Sequence, residues 1–161
     1  MSKVPALGPR GEGWVVLQLI LFVVIGAAGI GLPGSSPGGD GMPLALAGLL
    51  LLALSALLGV AGLAGLQGGN ALTAVPHPRE GARLIETGAY RLVRHPVYGA
   101  LILGAIGWSF VRASAAALLA SLALAIVLDL KRRREEAWLA DRYPGYPAYA
   151  SRTRRLIPWI W

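Results

Sequence analysis

Residues 97–130 read VYGALILGAIGWSFVRASAAALLASLALAIVLDL, an apolar stretch that Arg112 interrupts near its middle. The stretch is too long for one membrane helix, because about 20 apolar residues cross the hydrocarbon core. It fits two short helices, residues 97–111 and 113–130, joined by a tight turn. Each is near the lower length limit for a span, so we expect a helical hairpin that need not cross the bilayer completely.

Two earlier stretches without charge, residues 14–32 and 43–66, are each long enough for one membrane helix. The composition agrees, because 55% of the residues are hydrophobic and 14% are charged, against about 45–50% and about 25% in a soluble domain. We therefore predict an all-α integral membrane protein with about four transmembrane segments in one domain, residues 1–161. A cleaved signal peptide is the competing interpretation of the N-terminus, but three more apolar runs follow the first.

The basic residues lie mostly on one side of the predicted spans. Residues 33–42 hold none, the loop between the second and third spans holds four, and the chain after residue 130 holds eight. The positive-inside bias therefore predicts that both termini, that loop and any active site are cytoplasmic. We expect Lys131 and the three arginines that follow it to contact anionic headgroups. No nucleic-acid motif accompanies them, so we predict the bilayer, and no nucleic acid, as a partner.

Small and polar residues within the spans have packing interpretations. Gly59, Gly62 and Gly65 in the second span predict close approach of another helix. Asp129, near the end of the fourth span, is a functional candidate by its position, or a partner of the nearby arginines. Trp159 and Trp161 suit the membrane interface.

Two polar clusters flank the hairpin. Residues 91–99 read RLVRHPVYG, and residues 135–149 read EEAWLADRYPGYPAY. The i,i+4 pairs Lys131/Glu135 and Arg132/Glu136 predict that the fourth helix continues into water, until Pro144 stops it. If the hairpin forms, both clusters meet at the cytoplasmic rim. The chain has no cysteine, which excludes disulfides and thiolate ligands, and we predict no metal site.

Arginine and imidazole opposite carboxylates and aromatic rings suit a zwitterionic, aromatic ligand. Arginine or histidine binds a carboxylate, glutamate accepts from an ammonium or hydroxyl group, and the tyrosines or Trp138 stack on a ring or a cation. S-adenosylmethionine has a carboxylate, an ammonium group, ribose hydroxyl groups, an adenine ring and a sulfonium cation. The composition of the clusters admits this ligand without selecting it.

The motifs, taken in order, resemble a known family. The run G-x-Y-R-x-x-R-H-P-x-Y, residues 88–98, is followed by E-E-x-x-L and then by Y-P-x-Y-x-x-Y and R-x-I-P. Together they resemble the integral-membrane methyltransferases, which include isoprenylcysteine carboxyl methyltransferase and the phospholipid N-methyltransferases. Residues 67–161 resemble the methyltransferase core, and residues 1–66 form an N-terminal two-span part. Thr153 and Arg154 stand where the family often has Val-Pro, which leaves the acceptor open.

The resemblance implies a cofactor, a substrate class and a set of site residues. The cofactor is S-adenosylmethionine, the product is S-adenosylhomocysteine, and the acceptor is a lipophilic, membrane-borne carboxylate, amine, thiol or hydroxyl. The cofactor-binding candidates are Arg94, His95, Tyr98, Glu135, Glu136, Tyr146 and Tyr149. The catalytic candidates are His95 and Glu136 as bases, and Arg155 to position an anionic acceptor.

Two other functions remain possible on the sequence alone. The membrane sterol reductases carry a similar Arg-His-Pro-x-Tyr stretch and bind NADPH, although they are generally much longer. The protein could instead be a non-enzymatic membrane scaffold or a lipid-binding subunit. The sequence leaves the oligomeric state and the identity of the acceptor open.

Overall fold

The computed structural model of the protein describes residues 4–31 and 41–157. Trp159, Trp161 and most of the predicted loop between the first two spans lie outside these residues. The described residues form five α-helices: α1 (Glu12–Gly31), α2 (Met42–Gly68), α3 (Pro96–Val111), α4 (Ala115–Arg142) and α5 (Tyr146–Arg152). Residues Gly88–Arg91 form a 3₁₀ turn. The predicted all-α fold is confirmed.

Helices α1 and α2 are each long and apolar enough to cross a membrane on their own. Helix α3 is apolar but has only 16 residues. Helix α4 has 28 residues, of which the part after Leu130 is mostly charged or polar. The predicted hairpin is present between α3 and α4. It turns at Ala113, which adopts a φ of 48°, and Ser114 begins α4 by accepting a hydrogen bond from the Ala117 amide.

Glycines bring the backbones of α2 and α3 into contact. A Cβ atom on Gly48 would lie 2.7 Å from the Gly107 carbonyl oxygen, and one on Gly107 would lie 2.8 Å from the Gly48 oxygen. The predicted packing role of Gly59, Gly62 and Gly65 is also confirmed, because all three face α3 or the turn that precedes it. Small residues permit this close approach in lipid, where dispersion contacts stabilise helix pairs.

Serine hydroxyl groups link the helices inside the bundle. Ser55 on α2 donates to the Ala100 carbonyl oxygen on α3 at 2.7 Å. The hydroxyl oxygens of Ser109 and Ser121 lie 3.0 Å apart across the hairpin. These hydrogen bonds satisfy polar groups where no water is available, and they connect α2, α3 and α4 in sequence.

The polar segments gather at one end of the bundle. Lys131, at the end of the apolar part of α4, contacts Gln18 near the start of α1. The opposite end carries the hairpin turn, where Arg112 Nε donates to the Gly29 carbonyl oxygen at 2.8 Å. The C-terminal segment returns to the polar end, where the His95 amide donates to the Arg155 carbonyl oxygen at 3.0 Å. The hairpin thus brings both predicted clusters to the same rim.

We predict that Gly107→Ala destabilises the protein while Gly26→Ala does not. A methyl group on Gly107 would meet the backbone of α2, whereas one on Gly26 meets nothing within 4 Å. Overpacking costs about 1–3 kcal/mol, and Ala is favoured over Gly by up to about 1 kcal/mol in an unobstructed helix. Thermal unfolding in detergent should show a lower Tm for Gly107→Ala only. Equal Tm values for the two variants would contradict the close α2–α3 crossing.

Candidate active site

The carboxylate of Glu136 on α4 is the centre of a buried charge cluster. Its Oε1 atom lies 3.0 Å from Arg94 Nε and 3.1 Å from His95 Nε2. Its Oε2 atom lies 3.1 Å from Arg132 Nη1, one helical turn earlier on α4. The predicted Arg132/Glu136 pair is therefore confirmed, and Glu136 joins the segment before α3 to α4.

Arg94 extends the cluster to the C-terminal segment. Its Nη1 atom donates to the Ala150 carbonyl oxygen at 2.7 Å and to the Thr153 carbonyl oxygen at 2.6 Å. The Arg94 amide also donates to the Arg154 carbonyl oxygen at 2.8 Å. One arginine therefore connects α4, the end of α5 and the returning tail.

The protonation of the cluster follows from these contacts. Burial alone would raise the pKa of Glu136, but the hydrogen bonds from His95 and Arg94 and the charge of Arg132 outweigh it and hold this pKa well below its usual range. Glu136 is therefore an ionised acceptor at neutral pH, and His95 Nε2 carries the proton of their hydrogen bond. His95 Nδ1 then faces the second carboxylate, 3.7 Å from Glu135 Oε2.

Glu135 makes a different set of contacts from its neighbour Glu136. Its Oε2 atom accepts a hydrogen bond from the Tyr98 hydroxyl at 2.7 Å. The Tyr98 ring stacks against the His95 ring, with 5.4 Å between centroids and 8° between planes. The predicted ion pair between Lys131 and Glu135 is replaced, because Lys131 Nζ donates instead to Gln18 Oε1 at 2.8 Å.

Tyr146 and Tyr149 on α5 are both buried, with 5.9 Å between ring centroids. The Tyr149 hydroxyl donates to the Tyr90 carbonyl oxygen at 2.8 Å. The Tyr146 hydroxyl is buried and has no hydrogen-bond partner in the described part of the chain. Burial raises the pKa of both hydroxyl groups, so both remain protonated donors at neutral pH. Tyr146 thus has an unused donor.

A cleft opens beside these residues. Its empty space is about 810 Å³ when the solvent at its open mouth is included. Six predicted site residues line it, namely Arg94, His95, Tyr98, Glu135, Tyr146 and Tyr149. Apolar residues form much of the remaining wall, among them Leu66, Leu84, Ile85, Val97 and Leu139. The cleft therefore combines polar groups with apolar surface.

Three sequence predictions lie away from the cleft. Glu136 is absent from the lining, because it lies against Arg94, His95 and Arg132. Arg155 is exposed, and its carbonyl group rather than its side chain contacts His95. Trp138 packs under the Arg134 guanidinium, 4.3 Å from it, and does not line the cleft.

The basic run after residue 130 was predicted to contact headgroups, and this is wrong for its first two members. Lys131 is 1% exposed and Arg132 is 3% exposed, because α4 continues and turns both toward protein. Arg133 remains on the surface. Asp129 pairs with Arg132 at 2.5 Å and with Arg133 at 2.7 Å, which confirms its interpretation as a partner of nearby arginines.

Sequence reasoning missed other residues that shape the site. Tyr143 donates from its hydroxyl to the Ala82 carbonyl oxygen at 2.7 Å and so holds the loop between α2 and the 3₁₀ turn. Arg79 and Arg83 lie on either side of Ala82 in this loop. Both line the cleft, and neither side chain has a partner in the described residues. Their positions in a polar loop indicated exposure, but no local pattern indicated that they face the site.

We predict that Glu136→Gln destabilises the protein far more than Glu80→Gln, which changes an exposed loop carboxylate. Removing one partner of a buried charge cluster costs about 3–5 kcal/mol. The stabilisation from Glu136 is complete above the unfolded glutamate pKa of about 4.3 and is lost as pH falls through its lowered folded pKa.

The measurement is Tm in detergent between pH 7 and pH 3 for both variants and the wild type. We expect Glu136→Gln to show the lowest Tm at pH 7, and its deficit relative to the wild type to shrink on acidification. Equal Tm values for Glu136→Gln and Glu80→Gln at pH 7 would contradict the charge cluster.

Comparison with known proteins adds a family to this geometry. The family model described as phospholipid methyltransferase matches residues 44–145, more than half of the chain. The cobalt-zinc-cadmium resistance protein CzcN of Cupriavidus metallidurans is 33% identical over 81 residues, which cover 50% of this chain and 38% of that protein. The chain thus spans less than half of that relative. The family match contains the hairpin and both adjacent glutamates, and the chain therefore belongs to the phospholipid methyltransferase family, a family of membrane methyltransferases.

Proposed function

We propose that the protein transfers a methyl group from S-adenosylmethionine to a lipophilic acceptor that arrives from the membrane. The observation that carries the proposal is the cleft, where the Tyr98–Glu135 pair and the free Tyr146 hydroxyl face apolar surface. The family match favours this function over a sterol reductase or a scaffold.

The groups at the cleft fit the cofactor. Glu135 Oε1 has no hydrogen-bond partner in the described residues and can accept from an ammonium or a ribose hydroxyl group. The Tyr146 hydroxyl is an unused donor. The rings of Tyr98 and His95 offer an aromatic surface to an adenine or to a cation. We assign cofactor binding to these four residues, with Arg94 and Tyr149 as lining residues that are held by protein contacts.

The bound cofactor supplies a methyl group on a sulfonium, which is already an activated leaving group. The protein's own contribution is then alignment, which can account for about 7–11 kcal/mol of a barrier. A carboxylate acceptor needs no base. An amine, thiol or hydroxyl acceptor must lose a proton, and His95 Nδ1 can receive it, because Nε2 already donates to Glu136.

Two of the catalytic candidates take other roles in this proposal. Both oxygens of Glu136 are occupied by cations, so we assign it to positioning Arg94 and His95 rather than to proton transfer. The Arg155 side chain is exposed, whereas Arg79 and Arg83 line the cleft. An anionic group on an acceptor would therefore meet these two arginines first.

We place the cleft and both termini on the cytoplasmic side. The positive-inside bias supports this orientation, as does the grouping of the polar segments at one end of the bundle. The cofactor would then enter from water. The acceptor would enter from lipid, past the apolar residues Leu66 and Val97 at the ends of α2 and α3.

We predict that S-adenosylhomocysteine binds the purified protein with saturable heat, and that Glu135→Gln weakens this binding by about 10- to 100-fold, the equivalent of one charged hydrogen bond. The matched control is Asp141→Asn, which changes an exposed carboxylate on the same helix. Titration calorimetry in detergent measures both. Equal binding by Glu135→Gln and the wild type would contradict the assignment of Glu135. Absence of heat with folded wild type would contradict the proposed function.

We also predict that membranes containing the protein, incubated with methyl-labelled S-adenosylmethionine, accumulate label in material extractable with organic solvent. His95→Ala should lower the rate of labelling by about 10²-fold or more if the acceptor must lose a proton. Exposed Arg91→Ala is the control and should label normally. Label confined to the aqueous phase would contradict a membrane-borne acceptor.

A further inference from the structure

Lys131 is a fully buried lysine that forms no ion pair with Glu136, the centre of the charge cluster. It directly follows the apolar part of α4 and is 1% exposed, although lysines are almost never fully buried unless they are paired. Its Nζ atom donates to Gln18 Oε1 at 2.8 Å and to the Ala74 carbonyl oxygen at 2.9 Å. The same atom lies 5.1 Å from the centroid of the Tyr98 ring.

These three contacts link three different elements to α4. Gln18 belongs to α1, which precedes the region matched by the family model. Ala74 belongs to the loop whose Pro76 and Pro78 line the cleft. Tyr98 belongs to α3 and donates to Glu135. Lys131 therefore contacts α1, the loop that carries Ala74 and the tyrosine of the proposed cofactor site.

The N-terminal segment holds the same loop through its backbone. A Cβ atom on Gly11 would collide with the Pro76 ring, and the His77 amide donates to the Arg10 carbonyl oxygen at 3.3 Å. The loop is thus fixed from two directions, by the segment before α1 and by Lys131. The position of the cleft wall depends on contacts outside the family-matched region.

The charge of Lys131 carries an energetic cost. Burial lowers the pKa of Lys131 to about 8, although Glu135 on the same helix raises it. Among the described residues, its Nζ atom contacts the neutral Gln18 on α1, the Ala74 carbonyl group and the face of the Tyr98 ring, on which His95 stacks. Because the fold would be favoured by a neutral group here, the cation is better explained by a role in the site than by stability.

We propose that Lys131 is a positioning residue for cofactor binding, which holds the Tyr98 ring and the Ala74 loop in place relative to α1. Through Tyr98 it acts on the Glu135 carboxylate at the cleft. This inference rests on the proposed function, because its readout is binding of the cofactor product.

The test measures calorimetric binding of S-adenosylhomocysteine to the whole chain in detergent. We expect Lys131→Met to weaken binding about tenfold or more, while its Tm stays within a few degrees of the wild type, since an apolar replacement removes a buried charge. Arg133→Met, which removes the exposed neighbouring cation on the same helix, should bind as the wild type does.

A pH series separates positioning from simple packing. Wild-type binding should weaken as the pH rises through about 8, because the cation over Tyr98 and beside Glu135 is then lost. Lys131→Arg, which stays charged, should bind at pH 7 within a few-fold of the wild type and lack this transition.

Three results would overturn the inference. Lys131→Met binding within twofold of the wild type would exclude a positioning role. Should Lys131→Met fail to fold, Gln18→Leu removes one of the same contacts, and unchanged binding in that variant would also overturn it. Absence of binding by the wild type would overturn the proposed function and this inference with it, whereas retained binding in Lys131→Met overturns the inference alone.

Discussion

The carboxylate of Glu136 holds together stretches of chain that are far apart in the sequence. It binds Arg94 and His95 before α3 and Arg132 on α4, and Arg94 in turn binds backbone carbonyl groups at the C-terminal end of α5 and just after it. The membrane hairpin makes this possible, since it returns the chain to the rim from which it left. Charged groups that are buried at this rim are costly to desolvate, and the cluster offsets that cost because both oxygens of the Glu136 carboxylate are paired with cations.

Adjacent positions on a helix point in directions about 100° apart, and α4 uses this to give its two glutamates different environments. Glu136 faces the cations of the fold and is saturated by them. Glu135 faces the cleft, where Tyr98 engages one oxygen and leaves the other for a ligand. The rigidity that alignment of a methyl transfer requires thus comes from one glutamate, and the contact with the cofactor that we propose comes from its neighbour.

The membrane fold and the meeting of the two clusters could be predicted because they follow from hydrophobic length, charge and motif order. The packing of Gly62 and Gly65 followed from small-residue spacing. The burial of Lys131 and Arg132 could not be predicted, because a basic run after a span usually contacts headgroups. Only the packing of other segments around α4 buries both side chains. The motif named Glu135, Glu136 and Arg155 together, but a linear pattern does not state which side chain faces the cleft.

The most direct test of the central cluster is a double-mutant cycle on Arg94 and Glu136, with the free energy of unfolding measured by denaturant titration in detergent. Arg94→Met and Glu136→Leu each leave a charge without one of its partners, whereas the double variant removes both. We predict that the double variant loses less stability than the sum of the single losses, by about 1 kcal/mol or more. Losses that add to within about 0.5 kcal/mol would show that the two residues act independently and would contradict the account.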